Sequence, residues 1–112
     1  MNIKTGDIIL IPYPFAELIN IKLRPAVVIC NTSDNFKDLV VSAISSVMRI
    51  SSNNATLILN PSKLNSLKVT STVLVDRIFT LKRENMIKKL GSLNDSELQS
   101  FIEIFRKLPE IN

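Results

Sequence analysis

The sequence predicts a small, mainly β domain: a barrel or sandwich of short strands closed by one C-terminal α-helix. Three observations carry this. Short runs of apolar and β-branched residues recur as far as Leu81, broken by clusters of Asn, Asp, Pro and Gly. The period then changes, and Leu98, Phe101, Ile102, Phe105 and Leu108 follow helical spacing. Finally, 112 residues that are 46% apolar, with only two glycines, suit one compact domain spanning 1–112.

The elements follow in order. "DIILIPY" (7–13) reads as a first strand behind the turn residues Thr5 and Gly6, ended by Pro12 and Pro14, which cannot donate to a ladder. "FAELINIKL" (15–23) is a connection. Residues 26–31 form a second strand, "NTSDNFKD" a polar turn, and "LVVSAI" (39–44) a third strand. Asn53 and Asn54 turn the chain into a fourth strand, 55–59. Asn60-Pro61 can open a helical turn with proline in its first position. Residues 69–75 and 78–81 are β-branched strand segments. Asn94 and Glu97 have capping-box spacing, Leu93 and Leu98 sit where a hydrophobic staple needs them, and Pro109 stops the helix. The apolar stripe faces the core, and such a helix can also pack on a second subunit.

Composition narrows the function. A net charge of +4 permits a polyanionic partner, although a solvated surface accounts for lysines equally well. Cys30 is the single cysteine, so no internal disulfide forms and a reducing compartment is expected. Its apolar strand predicts a buried thiol. With no histidine, a Ser-His-Asp triad, a paired-histidine ribonuclease site and most transition-metal sites are removed. No metal or other cofactor is expected. The apolar burst 8–11 is much too short for a signal peptide or membrane span, which predicts a cytoplasmic protein. The stretch "IKLRPAVVIC" raises one question: Arg24 and Pro25 stand together at the mouth of an apolar strand. The arginine is either a solvated loop residue or one fixed to meet an anion.

These segments together resemble the MazF/PemK family of toxins from type II toxin–antitoxin systems. "GDIILIPYPF" is similar to the family's opening Gly-Asp strand, "LRPAVVIC" to its Arg-Pro second strand, and "VVSAISS" to the strand ending in Ala-Ile-Thr/Ser. "STVLVDRIFTLKRENMIKKLGSLNDSEL" is similar to its closing strand pair and capped helix. The resemblance covers nearly the whole chain. It implies a small SH3-like antiparallel β-barrel of the CcdB/PemK/MazF type with short helices. It also implies a homodimer, and a metal-independent endoribonuclease that cuts single-stranded mRNA and is blocked by a cognate antitoxin.

RNA can be cut without a metal by its own 2′-hydroxyl. A protein that promotes this must position the phosphate, stabilise added negative charge and move two protons. Arg24 aligns with the family's catalytic arginine, and its planar fork suits two phosphate oxygens. Pro25 restrains the geometry just before it. Ser45 aligns with the active-site threonine and keeps its hydroxyl donor, with Ser46 as an adjacent donor. The alternative for Ser45 is a strand-end serine bonding its own backbone. Asp76 aligns with an acidic position; it either takes the 2′-hydroxyl proton or pairs with Arg77 or another cation. Leu74 replaces an arginine that some members carry. The connection lacks the family's glycines, and Glu17 is its one candidate for proton transfer.

For RNA contacts, Tyr13 and Phe15 can stack on bases or pack in the core. Lys22, Arg77 and Lys82, with Arg83, Lys88 and Lys89, can meet phosphates or simply be solvated. Two other readings use the same fold: a CcdB-like toxin that binds gyrase, or a non-catalytic member that binds only RNA or antitoxin. The CcdB-like mode depends on a C-terminal tip with tryptophan, whereas this chain has none and ends "LPEIN".

Overall fold

A computed structural model describes residues 2–13, 22–46 and 55–110. Six strands make one antiparallel sheet: β1 (Asp7–Pro12), β2 (Leu23–Asn31), β3 (Leu39–Ser45), β4 (Thr56–Leu59), β5 (Ser71–Leu81) and β6 (Lys88–Ser92). Their spatial order is β4-β5-β3-β2-β1-β6. The sheet curls into a half-barrel. The loop that leaves edge strand β4 reaches edge strand β6, where the Ser92 N–H donates to the Leu64 carbonyl at 3.0 Å. Gly91 permits this approach, because a Cβ there would lie 2.0 Å from the Leu64 oxygen. Among the described residues one α-helix, α1 (Asp95–Arg106), covers one face of the curl.

Strand alternation divides the apolar residues between two faces. On the helix side, Ile8, Val27, Ile44, Leu59, Val73 and Val75 pack under Phe101, with Leu98, Ile102, Phe105 and Leu108 beside them. On the other side, Ile3, Ile9, Ile11, Ala26, Val28, Leu39 and Val41 pack with Phe79, Leu81 and Met86. The capping box forms as expected. The Glu97 N–H donates to Asn94 Oδ1 at 2.7 Å, and the Asn94 N–H donates to Glu97 Oε1 at 2.9 Å. Leu93 and Leu98 both join the helix-side core, as a staple requires.

The Gly-Asp pair that opens β1 is a structural device. Gly6 has φ +89°, and a Cβ on it would meet Leu98 Cδ1 at 2.8 Å. Asp7 is fully buried. Its Oδ2 accepts the Lys4 N–H at 2.8 Å, and its Oδ1 lies 3.3 Å from Lys89 Nζ. Lys89 therefore ties β6 to β1 rather than standing as a spare cation.

Several expectations need correction. Residues 69–75 and 78–81 are not two strands; one strand, β5, starts at Ser71 and runs unbroken to Leu81, with a large bulge. Ala43 pairs with Leu74 and its neighbour Ser42 with Ile78, so Val75, Asp76 and Arg77 are three extra residues on β5. The bulge is stitched at Val75, whose N–H donates to the Ala55 carbonyl at 2.9 Å while its carbonyl accepts the buried Ser42 Oγ at 2.9 Å. Three is an odd number, so the alternation inverts. Val73 and Val75 face the helix, whereas Phe79 and Leu81 face the other side.

Cys30 is exposed, not buried. The β2–β3 register shifts between Val28 and Cys30, which breaks the alternation that would have placed the thiol inside. Asn60-Pro61 leads into no regular helix but into a single turn just beyond Pro61, closed by the Ser66 N–H donating to the Ser62 carbonyl at 3.0 Å. The fully buried Asn65 organises that loop, accepting the Ser62 and Leu67 N–H groups and donating to the Asn60 carbonyl at 2.8 Å. The first strand ends at Pro12, one residue before Tyr13. The helix itself ends at Arg106, and Pro109 lies in the short 3₁₀ turn that follows.

Candidate functional site

The mouth of β2 is built by its proline. The Tyr13 N–H donates to the Lys22 carbonyl at 2.9 Å, and the pairs Ile11–Arg24 and Ile9–Ala26 follow in the same register. Antiparallel pairs alternate between hydrogen-bonded and non-bonded, so Leu10–Pro25 is a non-bonded pair. The side of Pro25 that lacks an N–H therefore faces away from β1, toward β3. The β2–β3 ladder indeed begins only at Ala26, opposite Ala43. Proline thus unzips the two strands at this end. Continuing the register by two residues brings Arg24 opposite Ser45 across the opened ladder. Ser45 pairs in turn with Thr72 on β5, and Thr72 with Ile58 on β4.

Arg24 is half-buried, on the same face as Ala26 and therefore on the side away from α1. Its guanidinium carbon lies 5.5 Å from the centroid of the Tyr13 ring, a cation–π contact. Tyr13 meets Phe79 edge-on, with centroids 6.5 Å apart and planes at 88°. This ring pair joins the end of β1 to β5, which are separated by β2 and β3 in the sheet, so it spans the mouth of the curl. Among the described residues no carboxylate or carbonyl engages the Arg24 fork.

The predicted residues distribute as follows. Arg24, Ser45 and Tyr13 gather at one end of the helix-free face, with Lys22 and Ser46 exposed at its rim. Asp76 and Arg77 are exposed on the β5 bulge, one strand beyond β3, and neither has an ion-pair partner among the described residues. Lys82 follows Leu81, which pairs with Leu39 at the opposite end of β3, about 20 Å from Ser45 at the usual rise per residue. Phe15 and Glu17 lie outside the described residues. Arg83 is not a spare cation: its Nη2 donates to Asn31 Oδ1 and its Nε to the Lys37 carbonyl at 3.1 Å.

Sequence reasoning missed two residues here. Thr72 is almost fully buried beside Ser45, and Phe79 backs Tyr13. Thr72 left one signal, a polar residue inside a β-branched run. Phe79 left none, because its face depends on the bulge.

Among the described residues no helix is long and apolar enough to cross a membrane. In comparisons with known proteins, no curated protein matches the chain significantly. Solved structures do. A mycobacterial endoribonuclease in complex with its cognate antitoxin superposes with TM-score 0.74 at 15% identity, over 97% of this chain and 96% of that one. The Mycobacterium tuberculosis toxin MazF-mt6 gives 0.69 at 15% identity, over 95% and 98%. A further mycobacterial endoribonuclease gives 0.67 at 17% identity, over 96% and 91%. At these identities the likeness establishes the fold. The family described as "PemK-like, MazF-like toxin of type II toxin-antitoxin system" matches residues 4–108, which is nearly the whole chain. The chain belongs to that family of toxins.

Proposed function

We propose that the chain is a metal-independent endoribonuclease that cuts single-stranded RNA, and so inhibits translation and growth. The observation that carries this reading is the convergence of Arg24 and Ser45 where Pro25 ends the β2–β3 ladder. The scissile phosphate sits between them. The Arg24 fork bonds its non-bridging oxygens and offsets the charge that grows as the 2′-oxygen attacks. The Ser45 hydroxyl donates to one of the same oxygens. A bond forms between the 2′-oxygen and phosphorus and the bond to the 5′-oxygen breaks, leaving a 2′,3′-cyclic phosphate and a 5′-hydroxyl. Asp76, extruded on the bulge, takes the 2′-hydroxyl proton. The departing 5′-oxygen takes its proton from solvent, since a guanidinium holds its proton too tightly to be a good donor. Lys22, Ser46 and Arg77 line the path of the strand, and Lys82 would touch only a longer RNA.

The working unit in this reading is a homodimer. Its inhibitor is a small antitoxin with a flexible acidic tail that folds across Arg24 as it binds. The deciding experiment is incubation of the purified protein with a long mixed-sequence RNA in EDTA, with mapping of the ends. Discrete cuts with 5′-hydroxyl ends are expected, and Arg24→Ala should lower the rate by at least about a hundredfold. A folded, antitoxin-free protein that leaves the RNA intact would overturn the proposal in favour of a toxin that acts by binding.

A further inference from the structure

Arg24 stands on one aromatic ring that is braced by another, and this suggests a division of labour at the site. We propose that Tyr13 and Phe79 are positioning residues: an aromatic clamp across the mouth of the curl that fixes the direction of the Arg24 guanidinium. The role is assigned on the reading of Arg24 given above and adds to it two residues that do not touch the reacting atoms.

Three observations support the clamp. The guanidinium lies 5.5 Å from the Tyr13 centroid, so one face of that ring is occupied by the cation and is not open to a base. A ring face attracts the cation through its quadrupole but accepts few of its N–H donors. The fork is therefore oriented while its donors stay available for a phosphate. Second, Tyr13 is the first residue after β1, and its ring is braced by Phe79 edge-on at 6.5 Å. Third, Phe79 points to this side of the sheet only because the Val75–Arg77 bulge inverts the alternation of β5. The bulge thus does two things at one place. It extrudes Asp76 toward solvent, and it turns Phe79 inward against Tyr13.

The consequence is quantitative. An arginine side chain has many rotamers, and a displacement of about 1 Å at a reacting centre can cost up to about a hundredfold in rate. Loosening the clamp should therefore lower the turnover number while leaving RNA affinity nearly unchanged, because phosphate contacts elsewhere are untouched.

The test has two arms. The first needs no activity: NMR of the Arg24 side chain labelled with ¹⁵N. The ring current of Tyr13 should shift the Arg24 Nε–H and Cδ–H signals upfield. Tyr13→Leu should abolish the shift, Phe79→Leu should reduce it and broaden the signals, and Tyr13→Phe should restore most of it. The second arm is RNA cleavage at saturating and limiting RNA. Phe79→Leu and Tyr13→Leu should lower kcat about tenfold with KM changed less than about twofold, and Tyr13→Phe should recover most of the loss. Thermal melting of each variant identifies any that fail to fold, and Tyr13→Leu stands in for Phe79→Leu should the latter melt. Arg24 signals that ignore both leucine variants would overturn the clamp. So would shifted signals with unchanged kcat. If the wild-type protein cleaves no RNA, the proposed function fails, while the NMR arm still decides whether the rings hold Arg24.

Discussion

The two ends of the barrel each hold a half-buried arginine, and they use it in opposite ways. Arg83, at the Leu39 end, donates to Asn31 Oδ1 and to the Lys37 carbonyl. It pins the turn between β2 and β3, whose other ties include Thr32 Oγ1 to Asp34 and the Asp38 N–H to Thr32 Oγ1. Arg24, at the Ser45 end, rests on an aromatic ring, and none of its guanidinium N–H groups meets an acceptor among the described residues. Both carry the same charge and both are half-buried; the difference lies in the neighbours. A guanidinium that is saturated by protein oxygens stabilises a loop. One laid on a ring is held without being used up, and that is the condition an anion site requires.

This contrast can be broken by substitution, and the largest effect should be at Arg24. Arg24→Ala should all but abolish cleavage while the melting temperature moves by no more than about 5 °C. Arg83→Ala should do the reverse. Losing two hydrogen bonds should cost about 1–2 kcal/mol, read as a lower urea midpoint, with cleavage far less affected than in Arg24→Ala. If Arg83→Ala removes activity while stability holds, the division between the two ends is wrong.

The bulge links the ends, and Ser42→Ala probes it. The Ser42 hydroxyl is fully buried and donates to the Val75 carbonyl, so its loss strands that acceptor at a cost of about 1–3 kcal/mol. Equilibrium unfolding measures this. A cost near zero would mean that the Val75–Ala55 bond alone holds the bulge.

The smallest effect belongs to the turn at the Arg83 end. The Thr32 hydroxyl, aided by backbone N–H groups, holds the Asp34 carboxyl below its ordinary value. A depressed folded-state value adds stability that is present above the unfolded pKa and is lost as the pH falls through the folded one. Asp34 is fully exposed, so the contribution is slight. Thr32→Val should move the Asp34 titration upward, visible by NMR of the carboxyl carbon. An unmoved titration would show that the backbone donors suffice.

Most of the fold could be read from the chain because its signals are local. The capping box and staple need only residues 93–98, and the apolar stripe of α1 needs only its own period. Arg24 was legible because Pro25 marks the chain beside it, and Ser45 because the alignment of a whole strand placed it. Features that depend on register were not legible. The exposure of Cys30 follows from a shift between two strands, and the continuity of β5 from a bulge held by Ser42 and Ala55. The buried Asn65 looks like any polar loop residue until its four hydrogen bonds are traced. Tyr13 was legible as an aromatic able to stack on a base or pack in the core, but its contact with Arg24 was not. That contact spans eleven residues of chain and is closed by the β1–β2 register.

The three-residue bulge also sets a rule for how this strand can change length. The faces of Phe79 and Leu81 are set by their partners Val41 and Leu39, so a residue deleted from or inserted into Val75–Arg77 is absorbed by the bulge and leaves both on the same side of the sheet. Insertions and deletions at this point should therefore be tolerated better than the same changes in the paired stretch from Ile78 to Leu81. An alignment that opens a single-residue gap here keeps every residue from Ile78 to Leu81 on its own face of the sheet, whereas the same gap placed within the paired stretch moves the residues beyond it to the wrong one.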